Sequence, residues 1–159
     1  MSVQEVEKIQ ELLKAKGIQF TLTVHEPVFT SEQAARVRGV ELKTGVKAML
    51  LVNGKKEFVL ALVPGDKRID MKKISGLAGK GRLSFAKPAD VVEKTHCEPG
   101  SVPPFGNVWG VPVYADKGLL ENEDVNFNCG LHTHSIAMQS KDLIVVLQPM
   151  MGEFAQENG

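Results

Sequence analysis

The fold is decided by Lys47-Ala-Met-Leu-Leu-Val52, followed by Asn53-Gly54 and Phe58-Val-Leu-Ala-Leu-Val63. Two apolar runs joined by Asn-Gly are typical of a β-hairpin, because these two residue types tolerate the positive φ angles of a tight turn. Both runs are apolar at nearly every position rather than at alternate positions. The pattern therefore predicts two paired strands that are covered by other elements on both faces.

Shorter elements surround this hairpin. Before it we predict a helix that ends at Gly17, a strand over Phe20–Val24, and a short helix from Thr30-Ser31 to Gly39. After it we predict helices over 70–78 and Pro88–Lys94, one helical turn around Asp142, and strands over Arg82–Ala86, Val111–Tyr114, Val125–Asn128, His134–Met138 and Ile144–Leu147. The order lacks a regular βαβ alternation. Residues 1–159 are therefore expected to form a single α+β domain, in which short helices surround a mixed, largely antiparallel sheet of about six to seven strands.

The composition is that of an ordinary globular protein. Of 159 residues, 43% are apolar and 24% are charged, which excludes an intrinsically disordered chain. No apolar stretch approaches the roughly 20 residues of a transmembrane helix, and the amino terminus lacks the basic and apolar regions of a secretion signal. The two cysteines, Cys97 and Cys129, are too few for a disulfide framework. We therefore expect a cytoplasmic protein with no membrane partner.

Charge is unevenly distributed along a chain whose net charge is zero. Residues 1–90 carry 16 Lys and Arg against 10 Asp and Glu, whereas residues 91–159 carry 3 against 9. Seven of the basic residues lie within 67–87, where Asp70 is the only acidic residue. Such a stretch can attract a polyanion, although solvated lysines on helix and loop surfaces give the same pattern.

Three segments could carry chemistry. The loop Gly100-Ser-Val-Pro-Pro-Phe-Gly106 combines prolines, which fix φ and lack an N–H group, with glycines that allow close approach of a ligand. Such a rigid loop could polarise a carbonyl oxygen through its free N–H groups, or it could be a plain connector. Lys47 either extends to solvent from its apolar strand or lines a pocket. His25-Glu26, at the end of a predicted strand, is a candidate for acid–base chemistry or an exposed polar pair without a special role.

Two other chemistries have less support in the sequence. Cys129, His132 and His134 lie close together, and His96-Cys97 could complete a zinc site, but no Cys-x-x-Cys or His-Glu-x-x-His motif is present. Ser135 follows a histidine, but no Gly-x-Ser-x-Gly sequence surrounds it, so a catalytic triad is poorly supported. The glycine patterns of ATP- and NAD-binding proteins are also missing. We therefore expect no metal and no other cofactor.

Taken in order along the chain, these residues resemble the YbaK/ProX family, the freestanding relatives of the editing domain inserted in bacterial prolyl-tRNA synthetases. The resemblance rests on Lys47 at the start of its apolar strand, Gly100-x-x-x-Pro104 followed by Phe105-Gly106, Ser135 in Gly-x-x-x-x-Ser-Ile, and Asp142 seven residues later. His25-Glu26 and Phe29 resemble the family's segment between the first strand and the second helix. The similarity covers about residues 15–150, and the order and spacing of the motifs are more specific than any single motif.

The resemblance implies an aminoacyl-tRNA deacylase that acts in trans on mischarged tRNA. Such enzymes hydrolyse the ester between a wrong amino acid and the 3′-terminal adenosine, because a synthetase pocket gains only about 1–3 kcal/mol of discrimination from a methylene group. The implied substrates are Cys- or Ala-tRNA(Pro), and the implied partners are the acceptor end of the tRNA and prolyl-tRNA synthetase. No DNA partner and no cofactor are implied. The alternative is a non-catalytic module that binds tRNA or a synthetase on the same scaffold.

The resemblance also implies roles for individual residues. Lys47 would contact the terminal adenosine or its phosphate, and N–H groups near Gly100 would hold the aminoacyl carbonyl, so these two are the predicted catalytic residues. A ribose hydroxyl of the tRNA would activate the water. The predicted substrate-binding residues are Phe20, His25, Phe29, Ser101, Pro104, Phe105, Gly106, Ser135 and Asp142. Phe20 stands where some relatives have a tyrosine, and the change removes a hydrogen-bond donor from the implied pocket.

Overall fold

The computed structural model describes residues 2–158, which form five α-helices and ten β-strands. The helices are α1 (Ser2–Ala15), α2 (Ser31–Arg38), α3 (Met71–Ala78), α4 (Pro88–Thr95) and α5 (Ser140–Leu147). The strands are β1 (Thr21–Val24), β2 (Val46–Val52), β3 (Phe58–Pro64), β4 (Lys67–Ile69), β5 (Ser84–Phe85), β6 (Val113–Asp116), β7 (Asp124–Asn128), β8 (His134–Gln139), β9 (Met150–Gly152) and β10 (Ala155–Glu157). No helix within residues 2–158 is long and apolar enough to cross a bilayer.

The predicted hairpin lies in a five-stranded sheet with the order β5-β2-β3-β6-β9. β2 and β3 pair antiparallel along their whole length, from Val46 opposite Pro64 to Val52 opposite Phe58. β6 pairs parallel with β3, and β9 pairs parallel with β6. The sheet is therefore mixed, with the antiparallel hairpin on one side and two parallel pairs on the other.

β3 is buried on both faces, as its continuous apolar sequence predicts. Residues 59–63 have no exposed surface. Because side chains alternate along a strand, the even-numbered residues of this run join a hydrophobic cluster with α1, β7, β8 and α5. The odd-numbered residues join a second cluster with Ile74 of α3, Leu83 and Phe154. The sheet thus separates two layers of core, and β2, β3 and β6 each contribute side chains to both of them.

A smaller, three-stranded sheet lies next to the start of β2. It consists of β1, β8 and β7 in that order, all antiparallel, with Ser135 opposite Thr23 on one side and Asn128 on the other. Gly45, just before β2, forms a parallel bridge with Asn126 of β7. This bridge places the start of β2 beside the outer edge of β7. A separate pair, β4 and β10, is antiparallel.

The predicted α+β class with a mixed sheet is confirmed, but the described residues form ten strands in three sheets instead of six or seven strands in one. Three strands that the sequence analysis missed, β4, β9 and β10, have three residues each, too few for a periodic pattern. The prediction of a strand at Ile144–Leu147 is wrong, because this run is the second half of α5. Its buried residues Leu143, Val146 and Leu147 recur at helical spacing, and a short apolar run alone does not distinguish a buried helix from a strand.

The turn of the hairpin also has a different basis from the predicted one. Five residues connect β2 to β3, and the left-handed residue among them is Lys56 (φ 60°) instead of Gly54. Asn53 Oδ1 accepts hydrogen bonds from the N–H groups of Lys55 and Glu57, at 3.0 and 2.8 Å. The side chain of Asn53 therefore organises the loop by imitating a backbone turn.

Candidate functional site

A cleft of about 330 Å³ lies where α2 faces the start of β2. Among the residues that line it are Phe29 and Thr30 before α2, Arg38 of α2, residues 45–49 at the start of β2, the loop residues Gly100 and Val102, and Asn126 and Asn128 of β7. Three residues that the sequence predicts as site residues, Lys47, Gly100 and Phe29, are in this lining. The cleft is therefore the candidate functional site.

Lys47 supplies a positive charge to the wall of this cleft. Its Nζ donates a hydrogen bond of 2.6 Å to the carbonyl oxygen of Lys67. An ammonium group has three N–H donors, so two remain available to a ligand. Burial lowers the pKa of Lys47, and the carboxylates of Glu32 and Asp66 oppose this effect. Lys47 is thus a partly desolvated cation held by a backbone carbonyl, not a side chain extended into solvent.

The loop at Gly100 supplies hydrogen-bond donors to the same cleft. Gly100 has φ 88°, a left-handed conformation that residues with a side chain rarely adopt. The N–H groups of Gly100 and Val102 have no acceptor among residues 2–158, whereas the N–H of Ser101 between them donates to the Glu98 carbonyl oxygen at 3.0 Å. Two cleft-lining residues therefore carry unpaired N–H groups, and donors of this kind can polarise a carbonyl oxygen when they face it.

An aromatic pair stands at the cleft beside Gly100. Phe29 is 65% exposed, and its ring lies 4.6 Å from that of His132, centroid to centroid. His132 is held by two hydrogen bonds, between Nδ1 and the Val28 carbonyl oxygen at 3.0 Å and between Nε2 and Glu98 at 3.2 Å. A large exposed ring with a fixed support can stack against a flat ligand such as a nucleobase.

Arg38, the last residue of α2, is a cleft-lining cation that the sequence analysis missed. Its Nε donates to Ser135 Oγ at 2.8 Å, and its two terminal nitrogens donate to Oδ1 of Asn126 and Asn128 at 2.8 and 2.7 Å. Burial lowers the pKa of Arg38 to about 10, so it remains charged at neutral pH. One signal was available, because Arg38 follows the buried Ala34 by four positions and so lies on the same face of the helix.

His25 and Ser135 contact each other but do not line the cleft. His25 Nε2 lies 2.6 Å from Ser135 Oγ, and His25 Nδ1 lies 2.7 Å from the Glu26 carbonyl oxygen. Because a carbonyl oxygen only accepts, the neutral ring carries its proton on Nδ1, and Nε2 accepts from the Ser135 hydroxyl. Ser135 is 3% exposed and its oxygen also binds Arg38. The pair thus holds Arg38 in place and does not present an accessible nucleophile.

Four other predicted site residues, Ser101, Pro104, Phe105 and Gly106, are buried and lie outside the cleft lining. Phe105 has no exposed surface and packs in the core with its ring 5.6 Å from that of Phe127. A Cβ added to Gly106 would lie 2.6 Å from the Val111 carbonyl oxygen, so close packing of the backbone requires this glycine. The loop therefore turns into the core after Val102. The four positions, including Ser101 before it, pack behind the cleft and do not line it.

Phe20 and Asp142 also lie outside the cleft lining. Phe20 is half-buried and packs against the first hydrophobic cluster. Asp142 is in the first turn of α5 and lines a separate surface depression together with residues 16–19. Because Leu143 packs into the core, the helix directs the neighbouring Asp142 toward the connection between α1 and β1.

The position of Phe105 gives a direct test of its role. We expect Phe105→Leu to lower the free energy of unfolding by about 1–3 kcal/mol, because a shorter side chain leaves unfilled space in the core. For a chain of this size, that corresponds to a fall in Tm of about 2–4 °C for each kcal/mol. The kcat and KM of the folded protein are expected to stay unchanged. If the variant instead loses activity while its Tm is unchanged, Phe105 contacts the substrate and is not only a core residue.

The geometry does not support the zinc alternative. Among residues 2–158, no group of three or more His, Cys, Asp or Glu side chains could hold a metal ion. Cys97 and Cys129 are both buried and free. Burial raises the pKa of each to about 12, so both are thiols at neutral pH and neither is activated as a ligand or nucleophile.

Comparison with known proteins places this chain in a known family. Residues 25–145 match the family model of the aminoacyl-tRNA editing domain. The chain is 31% identical over 152 residues, covering 93% of it and 91% of the relative, to the multifunctional Ser/Thr-tRNA deacylase ProXp-y of Escherichia coli (strain K12). It is 27% identical over 143 residues, covering 87% of it and 85% of the relative, to the prolyl-tRNA editing protein ProX of Acetoanaerobium sticklandii.

A solved structure leads to the same family. The crystal structure of a candidate trans-editing enzyme for prolyl-tRNA synthetase matches with a TM-score of 0.82 at 27% identity, covering 98% of each chain. The family model, the sequence relatives and this structure agree with the resemblance that the motifs carry. This chain belongs to the aminoacyl-tRNA editing domain family.

Proposed function

We propose that this protein is a trans-acting deacylase that hydrolyses the ester bond of a mischarged aminoacyl-tRNA. The observation that carries the proposal is that Lys47 and the unpaired N–H groups belong to residues that line one cleft. A cation and preorganised N–H donors around one space are the groups that stabilise the oxyanion of ester hydrolysis. The family, and two relatives named as a tRNA deacylase and a tRNA editing protein, support the same reaction.

In the proposed reaction, the 3′-terminal adenosine and its amino acid occupy the cleft. The N–H groups of Gly100 and Val102 donate to the ester carbonyl oxygen. The Lys47 ammonium binds the adenosine or its phosphate, and its charge stabilises the negative charge that develops on the ester. Water adds to the carbonyl carbon, the bond to the ribose oxygen breaks, and the proton of the water passes through the neighbouring ribose hydroxyl to that oxygen. Because the donors are already in place, little reorganisation is needed as negative charge develops. A side-chain base is not required.

A basic stretch of the chain that contacts Lys47 supports a tRNA substrate. The basic stretch within 67–87 begins next to Lys47, whose ammonium binds the Lys67 carbonyl. Its exposed members are Arg68, Lys72, Lys73, Arg82 and Lys87. Such charges attract the phosphates of an acceptor arm and make binding sensitive to salt. A tRNA substrate also implies a cytoplasmic protein, in agreement with the expectation from the sequence.

The identity of the amino acid is the finer part of the proposal. Three alanines, Ala34, Ala35 and Ala48, are among the cleft residues and leave room for a small aminoacyl group. We propose cysteine or alanine on tRNA(Pro) as the substrate, with prolyl-tRNA synthetase as an associated partner. Serine and threonine are the competing substrates, because one relative is named for them.

A deacylation panel tests the proposal. Purified protein is incubated with tRNA(Pro) charged with Cys, Ala, Ser, Thr or Pro, and the decay of each ester is compared with its spontaneous rate. We expect faster hydrolysis of Cys- or Ala-tRNA(Pro) and no effect on Pro-tRNA(Pro). Faster hydrolysis of Ser- or Thr-tRNA(Pro) alone would support the deacylase activity but contradict cysteine or alanine as the amino acid that is removed. Spontaneous rates for every ester, together with tRNA binding in a gel-shift assay, would favour a non-catalytic binding module.

A further inference from the structure

The acceptors around Arg38 form a preorganised platform on the smaller sheet. Asn126 and Asn128 are two positions apart on β7, so both side chains lie on one face of that strand. Ser135 of β8 is the direct cross-strand partner of Asn128 and shares that face. Three oxygens are thereby presented side by side to the planar fork of one guanidinium group, at 2.7 to 2.8 Å.

Arg38 binds these neutral oxygens without a countercharge. No carboxylate of the described residues forms an ion pair with it, and desolvation alone shifts its pKa. A largely buried cation without a carboxylate partner costs free energy, so hydrogen bonding must hold it. This cost points to a function for the charge and for the groups that it orders.

The hydrogen bonds continue from Arg38 to the Gly100 loop. Asn128 accepts from Arg38 through Oδ1 and donates through Nδ2 to the Gly100 carbonyl oxygen. The guanidinium thus fixes which end of the Asn128 amide faces the loop. Asn126 accepts from Arg38 in the same way, but its Nδ2 donates to Thr44 Oγ1 at 2.9 Å, away from the loop.

We propose that Arg38 is a positioning residue that orients Asn128, and through it the Gly100 loop, for polarisation of the ester carbonyl. The inference rests on the proposed deacylase function for its catalytic consequence, but the coupling of Arg38 to the loop is independent of that function. Loss of the link leaves the cleft and Lys47 in place and misdirects the N–H donors. The effect therefore falls on kcat, while KM changes little.

Asn128→Asp separates positioning from stability. The carboxylate still accepts from Arg38 and supplies the missing countercharge, but it cannot donate to the Gly100 carbonyl oxygen. We expect an unchanged or higher Tm, a shifted or broadened Gly100 amide signal in the ¹H–¹⁵N NMR spectrum, and a kcat lowered by about tenfold or more with KM within about threefold. Arg38→Met should move the same Gly100 signal and lower kcat in the same way.

Two matched variants complete the experiment. Asn126→Asp adds the same charge beside the same guanidinium and should leave the Gly100 signal in place, because its other partner is Thr44. Arg36→Met removes an exposed arginine from the same helix and should change neither signal nor activity. The inference is wrong if the Gly100 signal does not move in Asn128→Asp, or if it moves equally in Asn126→Asp. These two variants decide the question even if Arg38→Met does not fold. If the wild-type protein is inactive on every ester, only the proposed deacylase function is refuted. The coupling of Arg38 to the Gly100 loop is still tested, because the NMR comparison does not depend on turnover.

Discussion

Replacement of Lys47 by alanine is expected to lower the rate of hydrolysis of the preferred aminoacyl-tRNA by about 10²- to 10³-fold. The change removes a cation from the cleft wall at the start of β2. The fold should remain, because the Lys47 side chain is only partly buried and its one hydrogen bond goes to the Lys67 carbonyl oxygen. Single-turnover deacylation, with circular dichroism and Tm as checks on the fold, measures the effect.

Lys43→Ala is the matched control for Lys47→Ala. Lys43 lies four positions earlier, is outside the cleft lining, and pairs at 3.6 Å with the exposed Glu41. Its loss should leave the rate near that of the wild type. The pH profile adds a second check. Because burial lowers the pKa of Lys47, activity above the spontaneous rate should fall with rising pH at a value below that of an ordinary lysine. Equal rates for Lys47→Ala and the wild type would exclude Lys47 from the reaction.

The parts of the fold that the sequence predicts are those with local signals. For α2, Thr30 Oγ1 accepts from the Gln33 N–H at 3.1 Å, and Gly39 ends the helix in the left-handed conformation with φ 68°. Asp70 caps α3 in the same manner, by accepting from two N–H groups of its first turn. Because a cap acts within four residues, its pattern is visible in the chain without knowledge of the fold.

The organisation around Arg38 could not be predicted in this way. Its three hydrogen bonds join positions that are 88, 90 and 97 residues apart. The sequence near α2 does not show that β7 lies beside the end of this helix. That arrangement depends on a contact between distant residues, the bridge between Gly45 and Asn126. Besides the position of Arg38 on the face of Ala34, the sequence offers one sign of this polar face, because asparagine is uncommon in strands and two asparagines flank Phe127.

The residues of the motifs are divided between the cleft lining and the core behind it. Lys47 and Gly100 lie in one cleft, as the resemblance implied, although they are far apart in the sequence. The same motif continues through Pro104 to Phe105, which are buried. A motif records which residues occur together and does not distinguish those that face a ligand from those that hold the loop. Burial made that distinction, and it required the three-dimensional structure.

Gly100→Ala is expected to lower kcat by about 10²-fold, comparable to the removal of an oxyanion donor. Gly100 has φ 88°, and an alanine in the left-handed region costs about 1–2 kcal/mol. The added Cβ would lie 3.5 Å from His132, an ordinary contact, so crowding is not the cause of the loss. Instead, the backbone relieves the strain by rotating toward negative φ, which turns the Gly100 N–H away from the direction that the fold sets. Steady-state kinetics on the preferred ester, with Tm recorded in parallel, measures both effects.

Gly110→Ala separates this loss of geometry from a simple loss of stability. Gly110 has φ 70°, and no atom lies within 4 Å of a Cβ added there, so its alanine carries a similar backbone strain outside the cleft lining. Both variants should show a similar fall in Tm, of about 2–4 °C for each kcal/mol of strain. Only Gly100→Ala should also lose kcat, because Gly100 lines the cleft and its N–H is a proposed donor to the ester, whereas Gly110 lies outside the cleft lining. If the two variants lose activity equally, Gly100 supports the fold alone, and the carbonyl must be polarised by Lys47 or by the tRNA.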